Sequence, residues 1–258
     1  MISTEIEIPT ADGVAGGVFI HPEGTGPWPG VLYLTDIGGI RPVYREMVGR
    51  LAAKGYAALM PNVFYRTAKP PLLDFKPVIG EERTMKRFAE LAGPLTPEAM
   101  ERDASTYVDT LAANRLVKGG TSENMGVVGH CFTGAMALRA AAARPDKIAA
   151  AASFHGGGLY TDKPTSPALV LPRVKAHLYF GHAVQDRSMP PEAIEKLNAA
   201  LRAWGGKYES EVYDGALHGW TTLDGGAYNQ PQAERAFTKL TELFGEALRQ
   251  REDRRDRA

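Results

Sequence analysis

The sequence predicts an α/β fold, a mostly parallel central sheet with helices on both faces and an antiparallel hairpin at its N-terminal end. Three observations predict it. Short, continuously apolar runs at 31–34 and 148–154 read as strands buried on both faces. Stretches with apolar residues at helical spacing, such as 42–54 and 192–204, alternate with those runs. Polar turns, several of them rich in glycine, follow the strands, and ligands bind in such sheets at the strands' carboxyl ends.

Taken in order, residues 4–8 alternate polar and apolar, Asp12-Gly13 supplies a turn, and 15–20 resume as a strand, giving the hairpin. A Pro/Gly-rich loop leads to the strand at 31–34, which runs into Thr35-Asp36-Ile37-Gly38-Gly39. Pro42 opens a helix that Gly55 closes, with Val43, Met47, Leu51 and Ala52 on one face. Residues 56–60 form the next strand, stopped by Pro61. From 62 to 97 the pattern breaks into prolines, charges and few apolar residues, as expected of a lid or binding insertion. Helical spacing returns over 98–114 through Met100, Ala104, Tyr107, Val108 and Leu111. The strand at 125–128 stops at Gly129, and an Ala-rich helix is expected over 132–143. Strands at 148–154, 176–180 and 208–213 follow, with a helix at 192–204 between the last two. A closing helix over 232–248 presents Ala233, Ala236, Phe237, Leu240, Phe244 and Leu248, and 249–258 is a charged tail. Residues 1–248 are expected to form one domain.

Composition narrows the function. Thirty basic residues balance thirty acidic ones, so no global field points to nucleic acid or to an anionic membrane. One cysteine excludes an internal disulfide framework and thiolate-cluster metal sites. The first ten residues carry acids and no apolar core of a signal peptide, and no apolar run reaches membrane-spanning length. A soluble, cytoplasmic monomer is the expectation. No set of spaced ligands or phosphate-binding glycine loop implies a metal or an organic cofactor.

The chemistry gathers around Cys131, in Gly129-His130-Cys131-Phe132-Thr133-Gly134. A residue between glycines at a strand-to-helix turn sits in a strained conformation, its side chain above the sheet's end. The helix behind it presents free N–H groups and a positive dipole end, which favour a thiolate. A thiol nucleophile needs a base, and the base needs a group that fixes its tautomer and stabilises its cation. His218 follows the last strand and is the candidate base; Asp186 follows the strand before it and is the candidate acid. Each residue of the set follows its own strand, in the order nucleophile, acid, base. His155, at another strand end, is the rival base.

The stretches around Cys131, Gln185-Asp186-Arg187-Ser188-Met189-Pro190 and Gly215-Ala216-Leu217-His218-Gly219 resemble the dienelactone hydrolase family of α/β-hydrolases. The hairpin start, Asp36-Ile37-Gly38-Gly39 and the segment from Pro61 to Arg66 are similar to it as well. The resemblance implies an α/β-hydrolase fold and a Cys131–His218–Asp186 triad that opens enol lactones in aromatic catabolism, without cofactor. It implies an oxyanion hole built from the backbone N–H groups of Phe132 and Ile37, and Asp36 in the place of a glutamate that contacts the resting thiol. Tyr65 and Trp220 are expected at the substrate. Two positions depart from the family: Thr133 stands where a glycine is usual, and Thr222 where lactone-acid hydrolases carry an arginine. Arg83 or Arg87 is then the expected anion anchor. A thiolate leaves a tetrahedral intermediate more readily than an alkoxide, so a cysteine suits activated esters whose enolate leaves easily. A broad small-ester or thioester hydrolase is the first alternative. A lactone-binding or redox-sensing protein on the same scaffold is the second.

Overall fold

The computed structural model describes residues 1–118 and 124–249; the tail beyond Arg249 lies outside the described residues. In chain order the elements are β1 (Ile2–Thr10), β2 (Gly13–His21), β3 (Gly30–Leu34), α1 (Pro42–Ala53), β4 (Ala57–Pro61), α2 (Glu82–Ala92) and α3 (Pro97–Ala112). Then come β5 (Met125–His130), α4 (Gly134–Ala143), β6 (Ile148–Phe154), β7 (His177–Ala183), α5 (Pro191–Trp204), β8 (Tyr208–Tyr213) and α6 (Gln230–Phe244).

One eight-stranded sheet has the order β1-β2-β4-β3-β5-β6-β7-β8. The expected hairpin runs in register from Ile2 opposite His21 to Thr10 opposite Gly13, and β2 pairs antiparallel with β4. From β4 to β8 every neighbour is parallel. The strand order reverses at β3, which lies between β4 and β5, so the turns after β3 and β5 face one another across a topological switch point.

The inner strands β3 to β7 are buried along their whole length because both faces are covered, whereas the edge strands β1 and β8 are largely exposed or half-exposed. Leu32 and Leu34 enter the core shared with α3, α4 and α5, while Val31 and Tyr33 enter the core shared with α1 and α6. Alternate residues of one strand thus enter two cores, which hides the period-two signal of a half-exposed strand. Helix starts follow local rules: Thr96 accepts the N–H of Ala99 ahead of α3, and Asn229 accepts that of Gln232 ahead of α6. Gly205, at φ 72°, ends α5 in the left-handed conformation.

Three expectations change. The helix expected from 132 opens as a 3₁₀ turn over Cys131–Thr133 and becomes α-helical only at Gly134. The closing helix ends at Phe244 and passes into a wider π-turn over Gly245–Arg249, which keeps Leu248 buried. The segment 62–97, expected without periodicity, contains α2. Met85, Phe88, Ala89, Leu91 and Ala92 do fall at helical spacing, but the stripe is short, set among prolines and charges, and buries only Leu91 of its apolar residues, so sequence reading passed over it. Among the described residues no helix is long and apolar enough to cross a membrane.

Candidate active site

Cys131, Asp186 and His218 come from three separate strand ends and meet in one hydrogen-bonded line. His218 Nε2 lies 3.0 Å from the Cys131 sulfur, and His218 Nδ1 lies 2.6 Å from Asp186 Oδ2. Asp186 is buried, while His218 keeps 33% of its side chain exposed and Cys131 is half-buried. The second carboxylate oxygen of Asp186 accepts the N–H and the hydroxyl of Ser188, at 2.8 and 2.6 Å. With both oxygens engaged, the carboxylate has a fixed direction.

The charges reinforce the geometry. Burial works against a proton on His218, but hydrogen bonds to Asp186 and Cys131, and their charges, outweigh it and push its pKa up to about 10. Burial raises the Asp186 pKa, yet the hydrogen bonds of His218 and Ser188 prevail and hold it below the usual carboxylate range. The group is arranged to hold a proton on His218 beside the Asp186 carboxylate.

The elbow explains how Cys131 reaches this place. Its φ is 55°, a left-handed conformation rare for a residue with a side chain. A Cβ at Gly129 would overlap the carbonyl of Thr133, and one at Gly134 would overlap Ser153 and crowd the backbone of Gly156. The glycines therefore let β5, the turn at Cys131 and β6 approach closely. Thr133 fits where a glycine is usual because its hydroxyl is used: it accepts the His130 N–H at 3.0 Å and lies 3.3 Å from the Leu34 carbonyl. Gly129→Ala is expected to destabilise the fold by about 1–3 kcal/mol through this backbone clash, read as a lower midpoint in urea unfolding; an unchanged midpoint would show that the elbow has slack.

The turn after β3 faces the elbow. Asp36 N–H donates to Tyr44 Oη, Gly38 N–H to Asp36 Oδ1, and Gly39 N–H to the Asp36 carbonyl. Among the described residues these bonds leave the Ile37 N–H outside the turn's own network, and Phe132 begins the 3₁₀ turn beside the thiol.

The remaining expected site residues go elsewhere. Asp36 does not take the thiol; its carboxylate is held by Arg41 at 2.6 and 2.8 Å. An arginine fork matches a carboxylate far better than a thiol does. Trp220 has no exposed surface: it stacks on Tyr213 at 4.8 Å and packs edge-on to His155, so it is a wall of the core and not a substrate platform. Tyr65 is half-buried and turned to the hairpin and α3, with its hydroxyl bonded to Thr10 and Asp103. Arg83 pairs with Asp74 and lies over the Phe75 ring. Arg87 donates to the Leu72 carbonyl and pairs with Glu90. These two arginines line a surface cleft with Leu72, whose other side packs on Gly39 beside the turn after β3.

Sequence reading missed Arg41, which bridges Asp36 and Asp224 and so joins the turn after β3 to the loop that carries His218. A separation of 183 residues between Arg41 and Asp224 leaves no local signal of that pairing. Ser188 was readable: a serine two residues after an aspartate is an Asx-turn pattern. Among the described residues no group of three or more His, Cys, Asp or Glu side chains converges to hold a metal ion.

The profile of the dienelactone hydrolase family matches residues 15–248. The chain belongs to that family. A carboxymethylenebutenolidase of Rhodococcus opacus is 29% identical over 197 residues, covering 75% of this chain and 71% of the relative. The dienelactone hydrolase of Anabaena variabilis has the same fold, with a TM-score of 0.68 at 19% identity, over 96% of this chain and 99% of its own. A dienelactone hydrolase-like promiscuous phosphotriesterase, P91 from metagenomic libraries, superposes with a TM-score of 0.78 at 21% identity, over 95% and 98% of the two chains. The chain is thus a dienelactone hydrolase-like hydrolase on an α/β-hydrolase fold, and it acts on esters.

Proposed function

We propose that the protein opens small activated esters, enol lactones of the dienelactone type foremost, through a thioester on Cys131. One observation carries the reading: the line Cys131–His218–Asp186, with contacts of 3.0 and 2.6 Å, at a half-buried strand end. The sulfur, as a thiolate paired with the His218 imidazolium, attacks the ester carbonyl carbon. The carbonyl oxygen takes the developing negative charge and meets the N–H groups of Phe132 and Ile37. Collapse of the intermediate breaks the carbon–oxygen bond of the ester and expels the enolate, which receives the proton from His218 Nε2. Water then attacks the thioester, giving its proton to the same nitrogen, and the thiolate leaves with the acid released. Asp186 keeps the Nδ1–H tautomer in place and stabilises the cation through both steps.

A second reading within the same chemistry is a generalist for small neutral esters. What favours it is that the two arginines expected as the anion anchor, Arg83 and Arg87, and Arg41 on Asp36 each already hold a carboxylate of the chain itself. A substrate carboxylate bound by any of these three would have to displace that partner. The deciding experiment is steady-state hydrolysis of a dienelactone and of a neutral aryl acetate by the same preparation. A much higher kcat/KM for the lactone acid supports the first reading. Comparable values support the second, and turnover of neither would overturn both.

A further inference from the structure

His155 stands at the carboxyl end of β6, between the strand of the nucleophile and the strand of Asp186. Its backbone φ is 41°, with its N–H bonded to the Gly181 carbonyl at 2.8 Å. Non-glycine residues hold such a conformation only where their surroundings over-determine it, and functional sites collect them. Its side chain is 1% exposed.

Three members of the base loop meet this one imidazole. The His218 ring lies 5.2 Å away at 63°, the Trp220 ring 5.0 Å away at 71°, and the Thr221 hydroxyl 2.8 Å from Nε2. Trp220 in turn stacks on Tyr213 at the end of β8, so the loop is braced on the sheet from both sides. Among the described residues Nδ1 of His155 has no partner. Buried polar atoms normally find one, and the whole hydrogen-bonding capacity this ring uses is spent on Thr221.

We infer that His155 is a positioning residue for the base: its ring and its bond to Thr221 set where the His218 imidazole stands over the Cys131 sulfur. The inference rests on the proposed role of His218. A phenylalanine would fill the same space, but it could not hold the hydroxyl three residues beyond the base. Neutrality is part of the device, because a second imidazolium here would repel the one on His218. The titratable groups that face the ring are His130 from β5 and His218 from the base loop, with Asp186 behind the latter. Burial, then the charges of His218 and His130, hold the His155 pKa well below its ordinary value.

The test uses Thr221→Val, Thr221→Ser and His155→Asn in the full chain. Cys131 is the sole cysteine, so iodoacetamide labelling followed by mass reads that thiol alone. Thr221→Val is expected to lower kcat on an aryl acetate about tenfold while KM stays within about twofold, since a small misplacement of the base costs rate more than binding. Labelling at about pH 6, which depends on the thiolate–imidazolium pair, is expected to slow far more than labelling at about pH 8.5. Thr221→Ser restores both. His155→Asn, whose residue type tolerates a positive φ, repeats the loss. If the valine and asparagine variants lower the melting temperature but leave kcat and the pH dependence of labelling unchanged, His155 is a packing residue and the inference fails, with the role of His218 still standing. If the unmodified protein shows no excess labelling at the lower pH, the role of His218 fails and the inference with it.

Discussion

Cys131→Ala is expected to remove hydrolysis of either test ester, a loss of about 10⁴-fold or more in kcat, with the fold retained. Alanine keeps the Cβ that the elbow already accommodates at φ 55°, so the turn is no more strained than before. The side chain is half-buried and its polar contact in the site is the one to His218, so the fold loses little packing. What disappears is the only atom able to form the thioester, and His218 and Asp186 are left aligned on nothing. The check is kcat measured beside the far-ultraviolet circular dichroism and melting temperature of the same sample. An intact variant with near-normal turnover would remove the thioester mechanism, and water activated directly by His218 would take its place.

Asp186→Asn is expected to lower kcat on the order of 10³- to 10⁴-fold and also to change how stability depends on pH. Asparagine can turn its amide N–H toward Nδ1, which drives the proton to Nε2 and leaves nothing there to pair with a protonated thiol. The sign of the stability effect follows from the two shifts. The His218 pKa is raised, so its share is fully present below 6.5 and is lost as pH rises through about 10. The Asp186 pKa is lowered, so its share is present above 3.8 and is lost as pH falls through its lower folded value. The melting-temperature gap between the unmodified protein and Asp186→Asn should therefore be widest between pH 3.8 and 6.5 and close toward pH 10 and toward strong acid. A gap that is flat across that range would mean the pair carries no folding-linked proton.

Both expectations concern residues that are visible in the sequence, and the reason is physical. A nucleophile elbow requires glycine at fixed offsets, because any Cβ at Gly129 or Gly134 meets neighbouring atoms. Buried parallel strands require continuous apolar runs, and Cys131 and Asp186 follow two of them, β5 and β7, while His218 follows the half-exposed edge strand β8. These constraints are local, so they are written in consecutive letters. The helix α2 shows the limit of such reading: its stripe through Met85, Phe88, Ala89, Leu91 and Ala92 lies in a helix of only 11 residues, within a segment broken by prolines and charges, and most of it stays outside the core.

The sequence by itself therefore determined the sheet, its helices other than α2, the elbow, and the three residues that meet above it. Tertiary structure alone decided what the other polar groups do. It gave Asp36 to Arg41 and tied Arg41 to Asp224 across the chain. It buried Trp220 within the loop that carries His218 and set the His155 imidazole between Trp220, Thr221 and His218. A guanidinium fork or an imidazole nitrogen finds its partner by distance and direction in space. Residues as far apart as Arg41 and Asp224 become neighbours only when the sheet brings its strand ends together.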